Sequence, residues 1–177
     1  SSTALAPLDR FRQELRLRLR DFAPLLARDV TEAAFEAAVY AAARGNRRIL
    51  ECTQSSVWKA CAEAAELNLS LNPSLKEGDI LPVWNGKMKV IEAQFRPRYG
   101  GLLKLARRSG EIKNIWAYAV REKDHFVYEL GLHPKLEHRI AIGERGALTH
   151  AYCCWVFKDG TEAFEVLDMV RINRARG

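Results

Sequence analysis

Apolar residues recur every three or four positions through the first part of the chain, which is the spacing of amphipathic helices. The first such segment carries arginines between its apolar positions, and Pro24 strains or ends the helix near its close. Thr31 is a suitable N-cap for the second segment, and Gly45 is a suitable stop. The predicted helices of this N-terminal lobe cover residues 8–27, 31–44 and 55–67.

The period changes after Asn72-Pro73, a dipeptide that does not continue a helix. Asn85-Gly86, between two strand-like runs, is the strongest hairpin signal in the chain. Asp159-Gly160 turns a later strand back, and Asp168 is placed to cap a short terminal helix. One helix, 99–108, is inserted among the strands. The predicted strands cover residues 80–84, 88–95, 112–121, 126–130, 148–157 and 163–167.

This order of elements predicts an α+β fold, in which a helical N-terminal lobe precedes an antiparallel β-sheet core with an inserted basic helix. The 177 residues are 48% hydrophobic and 28% charged, which argues against wholesale disorder. No apolar run approaches the roughly 18 residues that span a membrane, and no basic-then-apolar leader opens the chain. We therefore expect a cytoplasmic protein with reduced thiols and no membrane partner. Its cysteines form no C-x-x-C pair and are Cys52, Cys61, Cys153 and Cys154.

Positive charge is concentrated in one segment. The formal net charge is +6, and residues 96–123 account for all of it with eight basic residues against two acidic ones. A cluster of one sign concentrates the electric field on a polyanion such as nucleic acid, although a solvated basic surface is the alternative. The basic residues of this segment are Arg96, Arg98, Lys104, Arg107, Arg108, Lys113, Arg121 and Lys123.

The inserted helix has two different sides on a helical wheel. Glycines on its cationic side leave room for another backbone to approach closely, and the helix N-terminus adds a favourable dipole. This arrangement favours phosphate binding, and a solvated helix whose glycines merely pack is the alternative. The predicted core side comprises Tyr99, Leu102, Leu103 and Ala106. The predicted cationic side comprises Gly100, Gly101, Lys104, Arg107 and Arg108.

Aromatic residues are interleaved with this charge, as in grooves where single-stranded bases stack on protein rings. Aromatic residues in alternating strands more often belong to a core, so both readings stay open at this point. The residues concerned are Trp84, Phe95, Tyr99, Trp116 and Tyr118.

Other chemistry finds little support in the residue pattern. The histidines are scattered, and the vicinal pair Cys153-Cys154 alternates between strand faces, so we expect no metal site. Asp79, Glu92 and Gln94 resemble a nuclease metal site, except that Gln94 stands where such sites usually carry lysine. No P-loop and no dinucleotide-binding glycine motif is present, so we expect no ATP and no cofactor.

Three long stretches resemble the RecT family of phage and prophage single-strand annealing proteins. They are LECTQSSVWKACAEAAELNLSLNPSL at 50–75, EAQFRPRYGGLLKLARRSGEI at 92–112 and AYAVREKDHFVYELGLHPKLEHR at 117–139. DGTEAFEVL at 159–167 completes the order, so the resemblance covers about residues 50–172. The first 49 residues match only in helical character, and the family typically continues past residue 177.

The resemblance implies a non-enzymatic function in homologous recombination. Family members bind single-stranded DNA, pair it with a complementary strand without ATP, and hold the annealed duplex in a positive groove of a ring or filament. A 5′-to-3′ exonuclease and a host single-stranded DNA-binding protein are the implied partners. Carried onto matching positions, the groove residues are Arg98, Tyr99, Lys104, Arg107, Arg108 and Lys113, with Arg96 and Lys87 at positions that vary in the family.

An annealing protein must hold phosphates while leaving base edges free, so we expect cationic contacts to dominate, with one or two aromatic wedges. One protomer covers few nucleotides, so a homo-oligomer is part of the expected mechanism. We assign residues 1–75 to a helical lobe with protomer contacts and 76–177 to the DNA-binding sheet core, together forming one cooperative domain. Core packing of the helices is the alternative for the lobe. A passive single-stranded DNA-binding protein, and less favourably a metal-dependent nuclease, are the alternative functions.

Overall fold

The computed structural model describes residues 6–176, which contain helices followed by antiparallel strands, so the predicted α+β class is confirmed. The helices are α1 Pro7–Phe22, α2 Glu32–Gly45, α3 Gln54–Glu66, α4 Tyr99–Arg108 and α5 Met169–Arg176. The strands are β1 Gly78–Asn85, β2 Val90–Pro97, β3 Ile112–Arg121, β4 His125–Glu129, β5 Lys135–Arg139, β6 Leu148–Phe157 and β7 Glu162–Asp168.

The chain forms two compact units, Ser1–Leu105 and Ala106–Gly177. The sequence-based division at residue 75 follows the change in periodicity, and as a statement about cooperative domains it stays a prediction. Residues 1–5 and 177, which this predicted division includes, lie outside the described part of the chain.

The core of the first unit is built from the apolar faces of α1, α2 and α3. Leu15 of α1 has no exposed surface, and the ring of Phe11 stacks on Trp58 of α3 at a centroid distance of 5.5 Å. The three- and four-residue spacing of Leu8, Phe11, Leu15 and Phe22 in the sequence predicts one apolar face, and these four residues are the buried residues of α1. The helix ends at Phe22, earlier than predicted, because Pro24 lies in the 3₁₀ turn Ala23–Leu25 that follows.

The β1–β2 hairpin belongs to the same unit and packs on α3. Ile80 and Ala93 are buried in the helical core. The start of α3 also bonds the outer edge of β2, since the Ala93 N–H donates to Ser56 Oγ (2.8 Å) and the Thr53 N–H donates to the Ile91 carbonyl (2.9 Å). These bonds satisfy backbone groups that an edge strand leaves open.

The strands of the second unit form two further antiparallel sheets. In the larger sheet β6 lies between β3 and β7, and Val120, Tyr152 and Val166 form a small buried cluster on one of its faces. The β4–β5 ribbon packs against this cluster through Phe126 and Leu136. The sequence did not predict β5, since its five residues are mostly polar and follow Pro134, and pairing with β4 is what makes them a strand.

Asp124, in the turn between β3 and β4, ties the ribbon to the sheet. Its side chain has no exposed surface and accepts hydrogen bonds from Nε of Arg145 (2.9 Å) and the N–H groups of Arg121 and Ala141 (2.9 and 3.0 Å). Nε2 of His138 on β5 lies 3.1 Å from the same carboxylate. The Arg145 guanidinium, together with these hydrogen bonds, holds the pKa of Asp124 well below its usual range.

The structure confirms both predicted caps and changes one turn. Thr31 Oγ1 accepts from the Ala34 N–H, and Asp168 Oδ1 accepts from the Arg171 N–H. Asn85 is the last residue of β1, and its side chain accepts from the two N–H groups that follow Gly86, so the loop is longer than Asn-Gly itself.

The four cysteines are free thiols, and burial raises the pKa of Cys61 to about 12. Within residues 6–176, no helix combines the length and the apolar character that crossing a bilayer requires.

Candidate nucleic-acid interface

The basic helix α4 has the bounds that the sequence predicts, Tyr99–Arg108. Its entry is fixed by the backbone of Arg98, whose N–H donates to the Glu77 carbonyl at 2.8 Å and whose carbonyl accepts from the Leu102 N–H at 2.9 Å. The segment just before β1 therefore positions the first turn of α4.

The glycines of α4 face this segment. A Cβ on Gly101 would lie 2.1 Å from the Glu77 carbonyl oxygen, and one on Gly100 would lie 2.8 Å from the Lys76 carbonyl oxygen. A backbone does approach these glycines closely, but it is the chain's own backbone. The predicted opening for a nucleic-acid backbone at this point is therefore wrong, and the alternative that the glycines serve packing is correct.

Lys104 points to the same side as the glycines. Its Nζ lies 3.0 Å from Glu77 Oε2, which also accepts from the Ser70 N–H at 2.8 Å. The Lys104 side chain keeps 38% of its surface exposed, against 17% for Glu77. Lys104 is thus a partner of an internal carboxylate, with part of its ammonium surface still open to solvent.

The predicted core side of α4 is wrong for two of its residues. Tyr99 is 59% exposed and Leu102 is 54% exposed, whereas Gly101 is buried. Glycine permits the closest approach of two backbones, so the helix packs through its glycines and turns these larger apolar side chains outward. Tyr99 is consequently accessible to a ligand, as a groove residue must be.

Two arginines flank Asp79 at the start of the β1–β2 hairpin. Arg96 lies opposite Asp79 in the strand register and is exposed. Arg98 Nε lies 3.4 Å from Asp79 Oδ2, and the two side chains are 43% and 36% exposed. An ion pair this open to solvent is weak, so a phosphate can replace the carboxylate as the partner of Arg98.

Lys87, the remaining candidate of the first unit, lies in the loop at the other end of the same hairpin and is exposed. In the second unit, Arg107 and Arg108 are exposed in the last turn of α4, where cations also complement the helix dipole. Lys113 is exposed at a register shift of β3, between Ile112 and Asn114. The structure therefore gathers Arg96, Arg98 and Lys104 beside acidic partners in one unit, and leaves Lys87 apart from them on the hairpin loop.

Sequence reasoning missed the acidic partners of this surface. Glu77 and Asp79 lie outside the basic segment and within three residues of each other, just before and inside β1. The available signal was the hairpin at Asn85-Gly86, because its pairing brings the start of β1 beside the segment that leads into α4. These two carboxylates reduce the positive charge that Lys104 and Arg98 present to a ligand.

The nuclease alternative loses its geometric basis. Asp79 lies opposite Arg96, whereas Glu92 lies opposite Val83, so the backbone positions of the two acids are offset by about 13 Å along the β1–β2 hairpin. Glu92 also accepts a hydrogen bond from Asn85 Nδ2 at 2.9 Å. In the part of the chain that the structure describes, no group of three His, Cys, Asp or Glu residues is arranged to hold a metal ion.

Known proteins match this chain over most of its length. The model of the RecT family matches residues 33–177. Protein RecT of Escherichia coli (strain K12) is 36% identical over 130 residues, which is 71% of this chain and 47% of that protein. The chain thus spans about half the length of this relative. Because the family model extends over well more than half of the residues, this chain belongs to the RecT family.

Proposed function

We propose that this chain binds single-stranded DNA and pairs it with a complementary strand in homologous recombination, without ATP. Membership of the RecT family supports this function. The observation that carries it is the exposed pair Arg96 and Arg98 at the entry of α4, beside the accessible ring of Tyr99. Arg107, Arg108 and Lys113 contribute further phosphate contacts from the second unit.

The proposed grip on DNA is electrostatic and leaves the bases available. Guanidinium groups bind phosphate oxygens through two parallel hydrogen bonds, and the affinity comes largely from released counterions. Arg98 exchanges Asp79 for a phosphate when DNA arrives, so the site is held in place before binding. Contacts of this kind carry no sequence information, which suits a protein that must anneal any pair of complementary strands.

Assembly into a ring or filament completes the proposed mechanism. A short duplex held by one protomer dissociates, whereas protomers bound in register along a strand raise the effective concentration of every further contact. The apolar face of α1 is occupied by the core, so protomer contacts would use its other face, where Leu17 is 82% exposed. An exonuclease that supplies the strand, and a host protein that covers it, are proposed as partners from family membership alone.

A fluorescence-quench annealing assay tests the function and its alternatives together. Two complementary labelled oligonucleotides are mixed with the protein without ATP, with and without Mg²⁺ or Mn²⁺. Annealing that is faster than the protein-free rate is expected under both conditions. Binding without acceleration indicates a passive single-stranded DNA-binding protein, and shortened strands in the presence of metal indicate a nuclease. Light scattering of the same mixtures reports whether complementary strands drive assembly.

A further inference from the structure

Trp84 is an exposed aromatic residue at the end of a strand whose other end is buried. Residues 80, 82 and 84 point to one face of β1, because strand side chains alternate. On this face Ile80 is 3% exposed and packs in the helical core, whereas Trp84 is 62% exposed. The β1–β2 hairpin therefore extends beyond the core toward its loop, and the indole ring of Trp84 is exposed to solvent.

The loop beside Trp84 combines small, apolar and positively charged residues. A Cβ on Gly86 would lie 3.8 Å from the indole nitrogen, so the ring lies alongside the loop. Met88 is 69% exposed, and Lys87 and Lys89 are exposed on either side of it. Glu92 is the acidic residue at this end of the β1–β2 hairpin, and its carboxylate accepts a hydrogen bond from the Asn85 side-chain amide.

This combination fits a nucleic acid better than a protein partner. A flat exposed ring is a stacking platform for an unpaired base, and adjacent ammonium groups match the phosphates on either side of that base. A flexible methionine can fill the gap that a displaced base leaves. Protein interfaces share the preference for tryptophan and methionine but are depleted of lysine, and this loop has two lysines within three residues.

We propose that the end of the β1–β2 hairpin is a base-stacking site for single-stranded DNA, with Trp84 against an unpaired base and Lys87 and Lys89 on the flanking phosphates. The site rests on the proposed function, since it assumes that single-stranded DNA is the ligand. The stacking site adds a contact to a DNA base, whereas the arginines at the entry of α4 contact only the DNA backbone. A strand held in this way has one base turned aside, and the bases between such sites stay free to pair.

The test compares an ordinary oligothymidylate with an abasic strand of the same length, measured by fluorescence anisotropy. Trp84→Ala is expected to lower affinity for oligothymidylate about 5- to 150-fold, the range of one lost base stack, and Trp84→Phe is expected to retain most of it. Affinity for the abasic strand should be unchanged, because that strand offers no base. Leu132→Ala removes another exposed side chain (96%) and serves as the matched control.

Tryptophan emission provides a second readout. Oligothymidylate should quench the wild-type emission, and Trp84→Phe should lose that quenching whereas Trp116→Phe, at a half-buried position, should keep it. Circular dichroism verifies that each variant folds.

Three results would overturn the stacking site and leave the proposed function standing. The first is an unchanged affinity of Trp84→Ala for oligothymidylate, and the second is an equal loss of affinity for oligothymidylate and for the abasic strand. The third is a changed sedimentation coefficient of the Trp84→Ala variant with no change in its affinity for either strand. The last would indicate a contact between copies of the chain. A wild-type protein that binds neither strand would instead overturn the proposed function, and the stacking site with it.

Discussion

The ammonium nitrogen of Lys104 lies 3.0 Å from the side-chain carboxylate of Glu77. The backbone carbonyl of Glu77 also accepts a hydrogen bond from the Arg98 N–H. The same residue thus holds α4 by its side chain and by its main chain. Lys104, which the resemblance assigns to the DNA groove, has a structural role in addition to any contact with phosphate. Arg98 differs from it, since its ion pair with Asp79 is more open to solvent, with the Asp79 side chain 36% exposed against 17% for Glu77.

Lys104→Ala should therefore affect the fold more than the DNA contact. The ion pair is only partly exposed, and its loss should cost up to about 1 kcal/mol of the free energy of unfolding, measured in urea. The slope of log affinity against log salt should change by less than the roughly 0.7 expected for a lost phosphate contact. Lys59→Ala, which removes a more exposed i,i+4 partner of Glu63 on α3, is the control and should change neither quantity appreciably. A full slope change without loss of stability would place Lys104 on a phosphate.

Gly101→Ala should destabilise the first unit. The new Cβ would meet the Glu77 carbonyl oxygen at 2.1 Å, so α4 must move away from the loop before β1. Overpacking of this kind typically costs about 1–3 kcal/mol, measured by urea or thermal unfolding. Gly45→Ala, near the end of α2, is the matched control because its Cβ would meet only Pro73 at 4.0 Å, and it should be neutral or slightly stabilising. Equal stability of the two variants would show that α4 does not depend on this close approach.

The α4 segment shows which features the sequence predicted and which needed tertiary structure. Its bounds were predicted as residues 99–108, and its end followed from a local signal, Ser109-Gly110. Its orientation did not, because periodicity ranks side chains by polarity, whereas the helix packs where two glycines let another backbone approach. Tyr99 and Leu102 were therefore assigned to a core that they do not enter. For Trp84 the sequence left a core position and a stacking position both open, since alternation places it on the core face but cannot show where that core ends.

Asp79→Asn should strengthen binding of single-stranded DNA. The substitution removes the carboxylate that competes with phosphate for Arg98 and lies opposite Arg96. Because the pair is exposed, the gain should be modest, about two- to fivefold in the dissociation constant at low salt, and smaller as salt screens the charges. Anisotropy titrations at several salt concentrations measure it.

The matched control for this gain is Glu66→Gln, which removes an exposed acid at the end of α3 and changes the net charge equally. It should raise affinity less than Asp79→Asn does. Arg98→Ala should lower affinity and flatten the salt slope by about 0.7. Equal gains for the two acidic variants would show that only net charge matters, and would remove Arg98 from the proposed interface.

The stability of the second unit should depend on pH through Asp124. The folded state lowers the pKa of this carboxylate, chiefly through Arg145, so its stabilising effect is present above the unfolded-state pKa of about 3.9 and is lost as pH falls through the lower folded value. Asp124→Asn should therefore lower the urea midpoint at neutral pH, and its deficit relative to the wild type should shrink below about pH 4. Asp159→Asn is the control, because that exposed carboxylate also has a lowered pKa but bonds only its own turn through Thr161. Its deficit should be much smaller at every pH. A wild-type midpoint that exceeds that of Asp124→Asn by the same amount at pH 7 and pH 3 would mean that the Asp124 charge does not hold the β4–β5 ribbon on the sheet.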